Sequence, residues 1–300
     1  KENLIIIGAL SISVIVIMLL LILFNVNLYD ELRQVLFLIP LIFIISLIIS
    51  IPTALLSCFL ILKGWALLGD AISHAILPGI MIAFILNIPL LIGAFISGLS
   101  CAVLTGYISN NCRLKADTVM GVLFSGFFGI GMILYFFVNT NIHLDHILFG
   151  NLLGVESHEM KTIIPISILV SSIIILKWKD FLLYSFDLVQ AKASGLKVGV
   201  LHYILLSIIS LTVVVTLSAT GLILAVGLII TPGAIAFLLT RNFLNMLYVS
   251  VLVCMFSMCF GTYLSFYIDS SPAPTIILVL TALFSFSFIY RILLIPKSST

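Results

Sequence analysis

Long apolar runs, with almost no charge inside them, constrain the fold of this chain more than any other feature. An apolar stretch of about 18 residues or more is long enough to cross a bilayer as a helix. Only 8% of the 300 residues are charged, whereas a soluble domain carries about 25%. The runs cover residues 4–24, 34–62, 66–86, 88–109, 118–138, 162–176, 201–219, 221–239, 245–267 and 275–292. The sequence therefore predicts an all-α, polytopic transmembrane helix bundle.

The lengths of the runs and the positions of the basic residues predict the topology. Runs 66–86 and 221–239 are short enough to be half-spans, so eight to ten spans are compatible with the sequence. Lysine and arginine concentrate in alternate loops, and placing those loops in the cytoplasm makes both termini cytoplasmic. We expect a single transmembrane domain over residues 1–300, with a cytoplasmic loop at about residues 180–200.

One ionisable pair lies inside an apolar run. Asp70 and His74 are four residues apart, so on a helix they share one face, one turn apart. Ionisable residues within a membrane are costly and are treated as functional by default. A carboxylate oxygen and a neutral imidazole nitrogen together suit Mn²⁺, Fe²⁺ or Zn²⁺. The alternative is that the two side chains only satisfy each other, or lie in water at the membrane edge.

Two ligands are too few to hold a metal ion, which usually takes four or more. The Asp-x-x-x-His pattern occurs only once in the chain. Two copies of the chain facing each other around a two-fold axis would supply two carboxylates and two imidazoles. The sequence therefore predicts a homodimeric pore. Four such ligands without a thiolate favour borderline to hard divalent cations over Cu(I).

Composition and missing motifs exclude other classes of function. The net charge of +2 indicates no nucleic-acid partner. The sequence contains no Gly-x-x-x-x-Gly-Lys-Ser/Thr phosphate loop, so an energy source in ATP would belong to a separate subunit. It contains no His-Glu-x-x-His helix of an intramembrane protease either. These absences favour a chain that is not an enzyme and has no permanently bound cofactor.

Four segments carry a resemblance to a known family. The run Leu62–Gly79, with its Gly-Asp-x-x-x-His-x-x-x-Pro-Gly pattern, closely resembles the signature of membrane permeases from manganese/zinc/iron ATP-binding-cassette importers. Leu148–Val155, Ala193–Leu196 and Gly221–Ala234 are similar to further segments of that family. One departure is that Gly64 and Trp65 follow Lys63, where a second basic residue is expected.

The resemblance implies a function, a location and a set of partners. It implies a multi-pass permease domain in the bacterial plasma (inner) membrane, which imports Mn, Zn or Fe as a homodimer. Asp70 and His74 would line the metal path. The implied partners are a second copy of the chain, a cytoplasmic dimer of ATP-binding-cassette ATPases, an extracellular metal-binding protein and the lipid bilayer.

The segment from Asp187 to Lys197 is predicted to form a short helix that Gly195 terminates, because glycine is the usual residue after a helix end. The resemblance implies that this helix docks in a cleft of the ATPase and couples it to transport. The coupling residues would be Asp187, Gln190, Ala191, Gly195 and Leu196. The alternative is an amphipathic helix that Lys192 and Lys197 hold at anionic lipid.

Two other kinds of transporter stay open as alternatives. A permease for iron-siderophores or cobalamin needs no Asp/His pair in its path. An ion-coupled secondary transporter usually shows inverted repeats and further intramembrane carboxylates, which are not evident here. The outward loop with His143, Asp145, His146, Glu156, His158 and Glu159 either gathers cations or meets the binding protein, or it is an ordinary solvated acidic loop.

Overall fold

The computed structural model describes residues 31–137 and 157–294, and every regular element in these ranges is a helix. The helices are α1 Glu31–Lys63, α2 Leu68–Ile85, α3 Leu90–Asn111, α4 Ala116–Phe137, α5 Ser157–Phe186, α6 Leu188–Ala193, α7 Val198–Thr220, α8 Leu222–Leu239, α9 Phe243–Ile268 and α10 Pro272–Leu294. All except α6 are long and apolar enough to cross a membrane. The prediction of an all-α, polytopic transmembrane bundle is confirmed.

The two runs that the sequence left open as half-spans are both continuous helices. Helices α2 and α8 each contain 18 residues, which gives a length of about 27 Å at 1.5 Å per residue. The hydrocarbon core of a bilayer is about 30 Å thick. The described residues thus hold nine candidate spans. The run 4–24 lies outside them, so a total of ten crossings and the cytoplasmic position of the termini stay predictions.

Helix α5 is longer than the sequence indicated. The predicted span covered residues 162–176 and ended at Lys177 to Asp180, but the helix continues to Phe186. Lys177 Nζ lies 3.2 Å from Asp180 Oδ2 across one helical turn, so these charged residues pair along the helix instead of ending it. The connection to α7 is therefore shorter than the expected loop at 180–200.

The core of the bundle lies around α1 and α2. Helix α1 packs against α5, α8 and α9, while α2 packs against α3 and α4. Small residues allow the closest contacts: a methyl group added to Gly233 of α8 would come within 2.6 Å of the backbone of Ser57 in α1. Ser250 Oγ of α9 donates a hydrogen bond to the carbonyl of Ala54 at 3.1 Å. Such close approach and interhelical hydrogen bonding are typical of packing between helices in lipid.

Helix α3 is rich in small residues, and within the described part of the chain it is packed on one side only. Gly93 contacts α2, and Gly98 contacts both α2 and α7. The opposite side is apolar and exposed, with Ile92 at 47% and Ile96 at 61% exposure. The small residues therefore mark where α3 touches its neighbours, but they do not make it an interior helix of this protomer.

Candidate functional site

Helix α2 carries the candidate metal ligands, and close backbone contacts hold it on two sides. A methyl group on Gly79 would overlap the carbonyl group of Gly93 in α3. A methyl group on Gly131 of α4 would come within 2.9 Å of the backbone nitrogen of Pro78. Contacts this close hold the part of α2 that follows His74 between its neighbours. The two ligands lie in the turns just before this closely packed part of the helix.

Pro78 alters the backbone of the turn that holds His74. Proline has no amide hydrogen, so the carbonyl oxygen of His74, four residues earlier, loses its usual helical donor. The next carbonyl, that of Ala75, accepts a hydrogen bond from Ser97 Oγ of α3 at 2.6 Å. Freed carbonyl groups in membrane helices need neighbouring donors or water. Polar backbone is thus available beside the imidazole.

Asp70 and His74 lie together on one face of α2, as their spacing predicts. His74 Nε2 is 3.5 Å from Asp70 Oδ1, and the two side chains are 25% and 32% exposed, respectively. This separation is longer than a good hydrogen bond, for which about 2.7–3.2 Å is usual. The carboxylate and the imidazole are therefore neighbours that do not fully satisfy each other. Both remain accessible to a ligand from outside the protomer.

The imidazole of His74 lies against two phenylalanine rings of α4. The ring centroids of Phe124 and Phe128 are 5.5 and 5.3 Å from that of His74, and the Phe128 ring meets it edge to face. His74 Nδ1 is buried and has no hydrogen-bond partner. A buried polar atom without a partner costs free energy. The two rings fix the orientation of the imidazole, with Nε2 on the Asp70 side.

The described residues offer one carboxylate and one imidazole at the candidate site. Among residues 31–137 and 157–294, no group of three or more His, Cys, Asp and Glu side chains could hold a metal ion. Two donors are fewer than the four or more that a divalent transition metal usually takes. Completing such a site requires ligands from outside the described part of this protomer.

The second predicted element, the short helix between α5 and α7, is confirmed as α6. Asp187 caps its start: the carboxylate accepts hydrogen bonds from the amides of Val189 and Gln190 at 2.8 and 3.0 Å. At its end, Gly195 has a φ of +77°, and the amide of Leu196 donates to the carbonyl of Ala191 at 3.1 Å. This is the Schellman arrangement that glycine permits.

The outer surface of α6 is partly apolar. Leu188 is 45% exposed and Val189 is 77% exposed. Gln190 and Lys192 are also exposed, while Ala191 is fully buried against the bundle. A short capped helix with apolar side chains on its free surface is suited to dock into another protein.

Other predicted site residues lie apart from Asp70 and His74 or outside the described structure. His202 lies in the second turn of α7 and is hydrogen-bonded to Tyr184. His143, Asp145, His146, Glu156 and the family-like segment Leu148–Val155 lie outside the described residues. His158 and Glu159 belong to α5, but their side chains are not described.

Sequence reasoning missed the two phenylalanines that hold His74. Phe124 and Phe128 share one face of α4 because they are four residues apart, and Gly131 lies on the same stripe. That spacing was visible in the sequence. Nothing in it indicated that α4, and not another glycine-rich helix, would lie against α2.

The comparisons with known proteins agree on one family. Residues 35–291 match the ABC 3 transport family. The chain is 48% identical over 246 residues to the "Chelated iron transport system membrane protein YfeD" of Yersinia pestis, which covers 82% of this chain and 83% of the relative. It is 44% identical over 246 residues to the "Manganese transport system membrane protein MntB" of Synechocystis sp., with coverage of 82% and 80%.

A solved structure has the same fold. It is described as "PsaBC from Streptococcus pneumoniae in complex with Fab", and the matched chain is 34% identical with a TM-score of 0.74. The match covers 82% of this chain and 89% of that one. The relatives are named as membrane proteins of bacterial transport systems, which agrees with the nine candidate spans. The chain therefore belongs to the ABC 3 transport family and is a multi-span bacterial membrane permease.

Proposed function

We propose that this chain is the permease subunit of an ATP-driven importer for a divalent transition-metal ion, namely Mn²⁺, Fe²⁺ or Zn²⁺. The observation that carries the proposal is that two partly exposed side chains, Asp70 and His74, place a carboxylate oxygen and an imidazole nitrogen together on one face of a spanning helix. Oxygen and nitrogen ligands of this kind suit these ions. Relatives named for manganese and for iron transport support the same class of cargo.

We further propose that two copies of the chain form one pore and share one metal site. One chain supplies two metal ligands, which is too few for a divalent transition metal. Asp70 and His74 of a second copy would bring the number of ligands to four. Helix α4, which flanks His74, presents a long apolar surface that the rest of the described structure does not cover. Phe136 and Phe137, for example, are 76% and 83% exposed. This surface is suited to contact with a second copy.

The energy would come from a separate ATPase dimer that binds α6. The capped ends of α6 and the exposed Leu188 and Val189 support a docking role. Asp187 and Gly195 would fix the shape of the helix, and Gln190 would face the partner together with the apolar side chains. On the other side of the membrane, an extracellular metal-binding protein would deliver the ion.

Uptake of radiolabelled metal by the reconstituted complex tests the proposed site. Asp70→Asn and His74→Ala should each lower the uptake of Mn²⁺, Fe²⁺ and Zn²⁺ by about tenfold or more, because each removes a metal ligand from both copies. The ATPase subunit should remain bound to both variants. Asp117→Asn, at an exposed acid in the first turn of α4, is the matched control and should transport normally. Normal uptake by both site variants would refute the proposal.

A chelated cargo is the second candidate, because the Yersinia pestis relative is named for chelated iron. A chelate whose ligands already fill the coordination sphere would need neither Asp70 nor His74. Uptake of free Fe²⁺ and of a ferric chelate should therefore be compared in the same vesicles. Transport of the chelate that is unaffected by His74→Ala would favour this second candidate.

A further inference from the structure

Four side chains form a compact cluster at the end of the bundle that carries α6. The hydroxyl group of Tyr184 is 2.7 Å from Nδ1 of His202, a short and directional hydrogen bond. The ammonium group of Lys63 lies 3.8 Å from the centre of the Tyr184 ring. The ring of Trp65 meets the imidazole of His202 edge to face at 5.6 Å. We call Lys63, Trp65, Tyr184 and His202 the Tyr184 cluster.

The cluster joins elements that are distant in sequence. Tyr184 lies in the last turn of α5, three residues before the Asp187 cap of α6, and His202 lies in the second turn of α7, just after α6. The hydrogen bond between them thus ties together the two helices from which α6 extends. Lys63 ends α1, and Trp65 lies in the link between α1 and α2.

The same cluster reaches the helix that carries the metal ligands. The carbonyl of Trp65 accepts a hydrogen bond from the amide of Leu68, the first residue of α2, at 3.0 Å. Asp70 follows two residues later. Gly64, just before Trp65, has a φ of +68°, and a methyl group there would meet no atom within 4 Å. The link therefore contains a residue in the left-handed region with open space around it, which suits a swivel point.

Packing alone does not explain the composition of the cluster. Tyr184 is almost fully buried, at 3% exposure, and its hydroxyl group is hydrogen-bonded to His202 of another helix. A half-buried lysine usually pairs with a carboxylate. Within the described residues no carboxylate lies within 4 Å of Lys63, whose ammonium group rests on two aromatic rings instead. Such cation–π contacts are directional as well as attractive.

Gly106 of α3 packs against the imidazole of His202. A methyl group on Gly106 would lie 2.9 Å from His202 Nε2, which is closer than ordinary contact. Since the atom that would clash is the far end of a side chain, the ring would have to turn away. That rotation would move Nδ1 away from the Tyr184 hydroxyl. Gly106 therefore gives a way to disturb the hydrogen bond without changing any residue of the cluster.

We propose that the Tyr184 cluster transmits the displacement of α6 to α2, so that Tyr184, His202 and Trp65 act as positioning residues for the metal site. The bond between Tyr184 and His202 makes the ends of α5 and α7 move together when α6 is displaced. Because Trp65 contacts His202 edge to face, the link between α1 and α2 moves with them. The link rotates about Gly64, and this rotation displaces the first turn of α2. The inference rests on the proposed function, since it requires that α6 receives the ATPase and that Asp70 and His74 hold the ion.

The number of metal ions transported per ATP hydrolysed, measured in the reconstituted complex, tests the inference. Tyr184→Phe keeps the ring under Lys63 and removes only the hydroxyl. It should lower this ratio by about threefold to tenfold, the effect of losing one hydrogen bond, while ATP hydrolysis stays within about twofold of the wild type. Tyr203→Phe, at the neighbouring exposed tyrosine, is the matched control and should keep the wild-type ratio.

Gly106→Ala should lower the ratio in the same way. The double variant with Tyr184→Phe should lower the ratio little further than either single variant, because both changes break the same hydrogen bond. Gly199→Ala, at a glycine of α7 with no atom within 4 Å of an added methyl group, should have no effect. The double variant also guards against a folding defect, since two unrelated defects would add.

Three outcomes overturn the inference. The first is a wild-type ratio in Tyr184→Phe. The second is an equal fall of uptake and hydrolysis in both variants, which indicates simple destabilisation. The third is a wild-type complex that transports no metal, which refutes the proposed function and this inference with it. If the wild type transports metal and Asp70→Asn does not, a wild-type ratio in Tyr184→Phe refutes the inference alone.

Discussion

Single glycines determine how closely α4 approaches the helix that carries Asp70 and His74. Of the four glycines in α4, only Gly131 would clash with a neighbour if it carried a methyl group; the positions at 121, 126 and 129 face open space. Gly131 lies on the same stripe as Phe124 and Phe128, which contact His74. A side chain at 131 would therefore push α4 away and withdraw both rings from the imidazole.

Gly131→Ala should destabilise the protein and weaken metal uptake. The added methyl group would lie 2.9 Å from the backbone of Pro78, and relieving this overlap should cost about 1–3 kcal/mol of unfolding free energy. A lower apparent unfolding temperature in detergent measures the effect. Gly126→Ala, on the same helix, should leave stability equal or slightly raised, because alanine is the better helix former. Equal behaviour of the two variants would contradict the proposed contact.

The spacing of Asp70 and His74 predicted correctly that they share a helix face, whereas the small residues of α3 and α4 did not predict which helices they contact. Asp70 and His74 lie on one face because a helix repeats every 3.6 residues, and this holds whatever surrounds it. The small residues of α3 indicated a contact surface correctly, whereas three of the four glycines in α4 face open space. The partner helices could not be predicted, because which helix packs on which depends on the tertiary arrangement. The freed carbonyl of His74 could have been predicted from Pro78 alone.

At the scale of elements, α6 is the part whose shape depends most on its end residues. A helix of six residues is too short to be stable through its own backbone hydrogen bonds. Its stability comes from the Asp187 cap, from the turn at Gly195 and from the burial of Ala191. The turn at Gly195 was visible in the sequence as a stop signal, which is why this helix was predicted although its neighbour α5 was predicted too short.

Gly195→Val should reduce binding of the ATPase subunit without affecting metal binding at Asp70 and His74. A β-branched residue at a φ of +77° is strained, at a cost of about 1–3 kcal/mol, so the end of α6 should unwind. Co-purification of the ATPase should fall by about tenfold. Gly199→Val, four residues later and with open space around it, is the matched control. Undiminished association in Gly195→Val would count against a docking role for α6.

At the scale of the whole molecule, the described residues do not complete a metal site. They provide one carboxylate and one imidazole at the candidate site, and they leave helix α4 beside it largely uncovered. The apolar runs predicted the membrane bundle because their length alone requires it. The expectation of a second copy rests on counting ligands and stays a prediction. The position of such a copy is a property of the assembly, which the sequence of one chain does not contain.

A shared site predicts the metal content of mixed dimers. If two copies hold one ion between them, the purified wild-type dimer should contain about one metal ion per two chains, since four ligands are needed for one ion. A dimer of one wild-type copy and one Asp70→Asn copy, isolated with two different affinity tags, should bind that ion about tenfold or more weakly, because one carboxylate of the set is lost. Native mass spectrometry with elemental analysis measures both quantities. Independent sites would instead give two ions in the wild-type dimer and one tightly bound ion in the mixed dimer, and that result would exclude a site shared across the two-fold axis.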